Sequence, residues 1–220
     1  MLGFDTSTAA TAACVIRADE AVFEQVPNPA ELLARPGHTR ELMPAVARLM
    51  GEAGLGFGDL DLIGLSLGPG SFTGLRVGAA TARGLAHAHG TPVRGVSSLA
   101  ALAAGAEAPT VLALLDARRG ELFAGLFEHH DERWPPFAAA PEELLRRVRT
   151  LPDAPLAVGD GSLRFREMLE SSGVRVAPEG SPLHVVRALH VCRLSRRVAD
   201  EPSRDVVPTY LRDPDARPRP

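Results

Sequence analysis

Asp5, Thr6, Ser7 and Thr8 stand together directly after a short apolar run, Leu2-Gly3-Phe4. A carboxylate at a strand end followed by hydroxyls suits phosphate and metal chemistry. The acid could hold a hydrated magnesium ion while the turn amides face phosphate oxygens. The plainer alternative is a hairpin corner in which Asp5 and Ser7 bond their own backbone; spacing alone leans to the corner. Residues 67–78, LGPGSFTGLRVG, pose the same choice. An aliphatic run (Leu62, Ile63, Leu65, Leu67) meets Gly68, Pro69 and Gly70, and a helical pattern starts at once. That order describes a buried strand, a sharp turn and a helix N-terminus. Ser71 and Thr73 are both good N-caps. Unpaired amides at such a start can hold an anion, and Arg76 lies one turn in. The segment is either a phosphate cradle or a tight structural corner.

Other chemistries find little support. All 24 basic residues are Arg. Without lysine there is no Schiff base and no Walker-type phosphate loop. The seven histidines include no pair four apart, and His87 and His89 would point to different helix faces, so no metal site is expected. A G-x-S-x-G elbow is absent, and no His or acid lies near Ser71 in sequence, so no catalytic residue is assigned. Gly159-Asp160-Gly161, after a strand pattern, could line a ligand cleft or simply turn the chain.

The elements that must position these groups alternate. Two strands are expected at Leu2–Phe4 and Ala12–Ile16, then a proline-rich loop over 27–37. Leu42, Val46, Leu49, Met50 and Ala53 recur at helical spacing, with Pro44 placing the helix start near Leu42 or a kink there. A strand at 59–67 leads into the glycine motif and a helix over 74–89. On that helix Gly74, Gly78 and Ala82 sit four apart, widened by Ala79 and Ala86, with Leu75 and Leu85 as bulk. Such a ridge of small residues lets another helix approach closely. A short strand at 91–96 and an Ala-rich helix at 99–106 follow. The chain then restarts: Val111–Leu115 ends in Asp116, a turn follows, and Glu121–Phe127 returns. Asp5 and Asp116 lie 111 residues apart in similar surroundings, which suggests two lobes of related design. Residues 128–142 read as a loop. A helix at 142–149, a strand at 156–161, a helix at 162–172 and a last helix at 185–198 complete an α/β pattern. The Pro-rich end 213–220 reads as a disordered tail.

The chain has 220 residues, 45% of them apolar, enough for one large domain or two lobes with real cores. A net charge of −3 argues for no dedicated nucleic-acid or membrane surface. Cys14 and Cys192 fit buried, reduced thiols. The N-terminus lacks the basic start of a signal peptide, and no run reaches the roughly 18 apolar residues of a membrane span. A cytoplasmic protein is the expectation.

Taken together, FDTST at 4–8, HTREL-MP at the first helix, LGPGSFTGLRVG-x5-GLA, VRGVSSLAALA, LLDARRGELFAGLF and PTYLRD resemble the TsaB (YeaZ) family, in order, over about residues 1–212. GPGSFTGLR-x-G is the most specific of these. The resemblance implies an actin-like, sugar-kinase-like (ASKHA) fold of two RNase H-like lobes, here 1–100 and 101–212. It also implies a non-catalytic, dimerizing subunit of the complex that makes threonylcarbamoyladenosine in tRNA. The implied partners are the catalytic subunit TsaD and the ATPase TsaE, with a homodimer in their absence and tRNA met through the complex. Leu42, Val46, Leu49, Gly74, Leu75, Gly78, Ala79 and Ala82 are the expected partner-binding residues. Asp5, Thr6, Ser7, Gly68, Gly70 and Ser71 form a candidate vestigial nucleotide or anion site, with ATP or ADP and Mg2+ as weak ligands. The competing readings are an ATPase working in its own cleft and, lower, a glycoprotease-type hydrolase.

Overall fold

The computed structural model describes residues 1–198, 203 and 206–212. The segment 213–220, read above as a disordered tail, lies outside the described residues. The chain builds two five-stranded mixed sheets of one topology. The first uses β1 (Leu2–Asp5), β2 (Ala12–Ile16), β3 (Val22–Gln25), β4 (Ile63–Gly68) and β5 (Val93–Ser97) in the order β3-β2-β1-β4-β5. The second uses β6 (Thr110–Arg118), β7 (Glu121–Glu128), β8 (Asp131–Ala139), β9 (Leu156–Val158) and β10 (Arg175–Val176) in the order β10-β9-β6-β7-β8. In each, three antiparallel strands come first and two parallel strands extend the other edge. This is the two-lobe α/β arrangement of the actin-like fold.

Helices α1 (His38–Glu52) and α2 (Phe72–His89) pack side by side on the first sheet. Leu42, Val46, Leu49, Ala82 and Ala86 close a core there with Leu2, Phe4, Ile63 and Leu65. Helix α3 (Ser98–Ala103) is capped by Ser97, whose hydroxyl accepts from Ala100 N at 3.3 Å. Helices α4 (Pro141–Val148), α5 (Asp160–Arg164) and α6 (Arg166–Ser171) serve the second sheet. The last helix, α7 (Ala188–Arg197), comes back to the first sheet, where Ala188, Leu189 and Cys192 pack with Ala12, Cys14 and Ile16. Gly3 belongs to this contact, because a side chain there would strike Cys192.

Three expectations change. Helix α1 starts at His38 and runs through Pro44, which sits on its solvent face and forgoes one exposed hydrogen bond. Residues 131–139 form a strand despite Pro135 and Pro136. β8 is an edge strand, and its register against β7 breaks between Ala124 and Leu126, where the prolines need no ladder partner. The expected 162–172 helix is two short helices, broken at Phe165. No helix among the described residues is long and apolar enough to cross a membrane.

Candidate functional site

The site lies where β1, β4 and β6 end, between the two sheets. The turn after β1 and the turn before α2 are bonded to each other. Ser71 N donates to Ser7 O at 2.7 Å, and Thr6 Oγ1 donates to Gly74 O at 2.8 Å. Gly74 allows this approach: any Cβ there would overlap the Thr6 carbonyl oxygen. Ser71 is the N-cap of α2 and accepts from Gly74 N at 3.4 Å.

Asp5, Asp116 and Asp160 converge from the two halves. Asp5 is buried; its Oδ2 accepts from Ser7 N at 3.2 Å, while Oδ1 has no partner. Burial pushes its carboxyl up to about 6. The neighbouring Ser7 and Ser66 hydroxyls pull the other way, without reaching hydrogen-bond geometry. Asp160 opens α5; its Oδ1 accepts from Asp116 N at 3.0 Å, and burial pushes it up to about 6 as well. The charge of Asp160 adds to the rise at Asp5. Asp116 is neutralised by Arg164 at 2.8 Å and Arg118 at 3.2 Å.

Asp116 and Asp160 border a cavity of about 530 Å³, with Ser7, Thr8, Ser71, Arg76 and Arg212 in its lining, and Asp5 lies buried behind Ser7. A groove of about 1050 Å³ shares Asp116, Arg118 and Asp160 and runs on between the turn of helix at Pro29–Leu33 and helices α5 and α6. The Ser7 and Thr8 hydroxyls are buried and unpartnered. The sequence-predicted residues Asp5, Thr6, Ser7, Gly70 and Ser71 therefore do meet. Gly68 sits one step away, under the backbone of Thr209. Asp160 joins them, as the Gly-Asp-Gly signal allowed. Tyr210 and Arg212 carry no such signal, since nothing local in PTYLRD points to a cavity built from segments far upstream. Among the described residues no group of three His, Cys, Asp or Glu side chains is placed to hold a metal ion. Ser162 and His184 approach to 3.3 Å, but both are fully buried and the Ser162 proton goes to Gly159 O, so the pair offers no nucleophile.

The eight expected partner-binding residues require correction. Leu42, Val46, Leu49, Gly74, Leu75, Gly78, Ala79 and Ala82 are all buried inside the chain. Gly78 faces the Thr6 hydroxyl and the Phe4 ring, so the ridge seats α2 against the end of β1 and the turn that follows it. The solvent face of the same helix pair carries another small-residue series, Ala47 and Gly51 on α1 and Ala80, Gly84 and Ala88 on α2, with the exposed Met43 at its edge.

Fold and cleft define a two-lobed protein of the actin-like class with a polar interlobe site. A solved structure from Pseudomonas aeruginosa, described as an uncharacterized protein with similarity to peptidase YeaZ, superposes with a TM-score of 0.78 at 26% identity, covering 96% of this chain and 98% of that one. Another, YeaZ from Pseudomonas aeruginosa, gives 0.73 at 26% identity, covering 89% and 90%. Residues 28–156 match the family model described as TsaD: tRNA N6-adenosine threonylcarbamoyltransferase. The tRNA threonylcarbamoyladenosine biosynthesis protein TsaB of Haemophilus influenzae is 28% identical, across 97% of this chain and 93% of that protein. An uncharacterized protein of Mycobacterium tuberculosis is 32% identical, across 99% and 94%. The chain belongs to the TsaB (YeaZ) family.

Proposed function

We propose that this chain works in tRNA threonylcarbamoyladenosine biosynthesis as a non-catalytic subunit. Its first lobe is residues 1–100 completed by α7, which returns to the first sheet against the expected 101–212 boundary, and its second lobe is built on the β6–β10 sheet. It docks a TsaD-type transferase, with a TsaE-type ATPase joining the assembly. The contact is the solvent face of α1 and α2, not their buried ridge. One observation carries this reading. Gly51 and Gly84 lie inside exposed helices, have ordinary helical backbone, and a Cβ at either would meet nothing within 4 Å. Each costs about 1 kcal/mol of helix stability relative to Ala, and nothing inside the chain gains from it. A smooth face on two adjacent helices lets two helices of a partner approach closely. In the partner's absence the same face suits a second copy of this chain.

The test is Gly84→Arg, with Gly51→Arg beside it, in titration calorimetry against the cognate transferase. Both variants should fold with a melting temperature no lower than the parent's, since Arg is a better helix former than Gly, and lose at least about tenfold in affinity, as central interface positions do. Native affinity in both overturns the reading. Gly78→Trp is unsuitable, because it would strike Thr6 and damage the fold first.

A second reading concerns the cavity. The unpartnered Ser7 and Thr8 hydroxyls beside the α2 N-terminus are the donor set of an anion or nucleotide site. Asp5 and Asp160 are the residues that would take Mg2+, which supplies charge neutralisation to a bound phosphate. Calorimetric titration with Mg-ADP decides it: saturable heat abolished by Ser7→Ala supports the site, and no saturable heat removes it.

A further inference from the structure

The motif PTYLRD begins against the first lobe and reaches the second. The segment 206–212 leaves the first sheet and ends on the second. Ser203 forms a bridge with Val93 of β5, and Val206 packs into the first core. Thr209 N then donates to Leu67 O at 2.7 Å. The strap lies so close to the glycine turn that a Cβ on Gly68, whose φ is +117°, would stand 2.6 Å from Thr209 O. The first glycine of LGPGSFTG is thus a seat for the strap. Tyr210 follows, its ring centroid 5.0 Å from that of Phe72. Arg76 lies over the same Phe72 ring at 3.7 Å, and its Nε donates to Tyr210 OH at 3.3 Å. Leu211 packs against the second core. Arg212 donates from Nη1 to Ala117 O at 2.8 Å and pairs with Glu121 at 3.1 Å, both in the β6–β7 hairpin. Thr209 to Arg212 form one wall of the 530 Å³ cavity.

We propose that residues 206–212 are a latch. Closed, it pins the glycine turn of the first lobe to the β6–β7 hairpin of the second and roofs the cavity. Released at Arg212 and Tyr210, it opens the cavity and frees the angle between the lobes. The strength of the fastening suits a part that opens. The Arg212–Glu121 pair is partly exposed (27% and 40%), so it contributes little. The firm points are the charge-assisted bond to Ala117 O and the aromatic contact at Phe72.

The experiment uses the full chain carrying Thr8→Cys as a probe, since Thr8 lines the cavity with an unpartnered side chain. The rate at which the introduced thiol reacts with a small water-soluble disulfide reagent is measured with the latch intact, with Arg212→Ala and with Tyr210→Ala. Cys14 and Cys192, fully buried, serve as internal reporters of general unfolding. The latch predicts that either change raises the rate at the introduced thiol about tenfold, the order expected for losing one charge-assisted or aromatic contact, while Cys192 stays unreactive. Arg212→Lys should fall between. An unchanged rate at the introduced thiol in both variants overturns the proposal. So does a parallel rise at Cys192, which would mean a loosened fold. If Arg212→Ala does not fold, Arg212→Gln in the same assay carries the same two outcomes.

Discussion

His38 Nδ1 lies 2.8 Å from Thr11 Oγ1, and the same hydroxyl lies 2.8 Å from Glu41 Oε2. On its other side, His38 Nε2 faces Thr8 O at 3.0 Å. A hydroxyl has one proton and a carbonyl can only accept. If Thr11 donates to Glu41, both ring nitrogens must donate, which needs a charged ring. Burial, the largest influence, lowers the pKa of His38, while Thr8 O and the Glu41 charge oppose it. The neutral ring keeps Nε2–H on Thr8 O and turns Thr11 toward Nδ1, releasing Glu41. This chain of bonds ties the β1–β2 turn to the start of α1. It gives the His of HTREL a purpose that lies in the first lobe's own architecture.

Nitrogen-detected NMR of the ring should therefore show the Nε2–H tautomer at pH 7 and a titration below the ordinary 6.5. Its sign follows: the unfolded chain takes up the proton first, so stability falls as pH drops from 6.5 toward the folded value. A midpoint at or above 6.5 would mean that the Glu41 charge outweighs burial.

Asp5 carries the opposite sign. Its folded value of about 6 exceeds the ordinary 3.8, so the folded state holds the proton longer. The stability this provides is fully present below about pH 4 and lost as pH rises through about 6. Two units correspond to about 3 kcal/mol at most, and the coupling to Asp160 shares it between them. Asp5→Asn keeps an acceptor for Ser7 N and removes the ionisation. Denaturant melts at pH 4 and pH 8 should show the variant gaining on the parent by about 2 kcal/mol at the higher pH. A parallel pH profile in both proteins would show that Asp5 is solvated.

These relationships are unequally visible in the residues themselves. The repeated strand–Asp–turn–strand unit is legible because β1–β2 and β6–β7 are local hairpins with strong apolar runs. The corner at LGPGSFTG is legible because a strand, glycines and a helix pattern follow without a gap. The orientation of α2 is not. Gly74-Gly78-Ala82 and Ala80-Gly84-Ala88 both repeat every four residues. Spacing shows that each shares a face but not which face meets β1. β8 is hidden by Pro135-Pro136, which edge position tolerates. The latch is hidden because its partners, Phe72, Arg76 and Ala117, lie 95 to 138 residues away, and long-range contacts leave no local pattern.

Glu24 offers a test of how α7 is held to the first sheet. Its side chain on β3 is 6% exposed, pairs with Arg187, and accepts from Leu189 N at 3.0 Å at the start of α7. Glu24 is the buried member, while Arg187 is 32% exposed and can turn to water, so the cost falls mainly on the unpaired Leu189 N. Glu24→Ala should cost about 2 kcal/mol, read as a shifted midpoint in urea. Glu24→Gln should cost less, because it retains an acceptor for Leu189 N. A loss below about 1 kcal/mol for the alanine variant would show that water replaces the pair.

Gly74 and Gly84, both on α2, should respond oppositely to the same added methyl group. At Gly74 a Cβ collides with the Thr6 carbonyl, and both sides of that contact are backbone. Neither can rotate away, so the helix must lift from the turn after β1, at a cost of about 3 kcal/mol. At Gly84 the Cβ meets nothing within 4 Å, so helix propensity alone acts, and Ala should stabilise by about 0.5–1 kcal/mol. For a chain of this size that is about 1–4 °C in melting temperature. The pair thus separates the two small-residue series by stability alone, before any partner is added. If Gly84→Ala destabilises the isolated chain, that face already packs against something in solution, and size-exclusion chromatography of the parent should then show a second copy bound. If Gly74→Ala is neutral, the corner is looser than its hydrogen bonds imply.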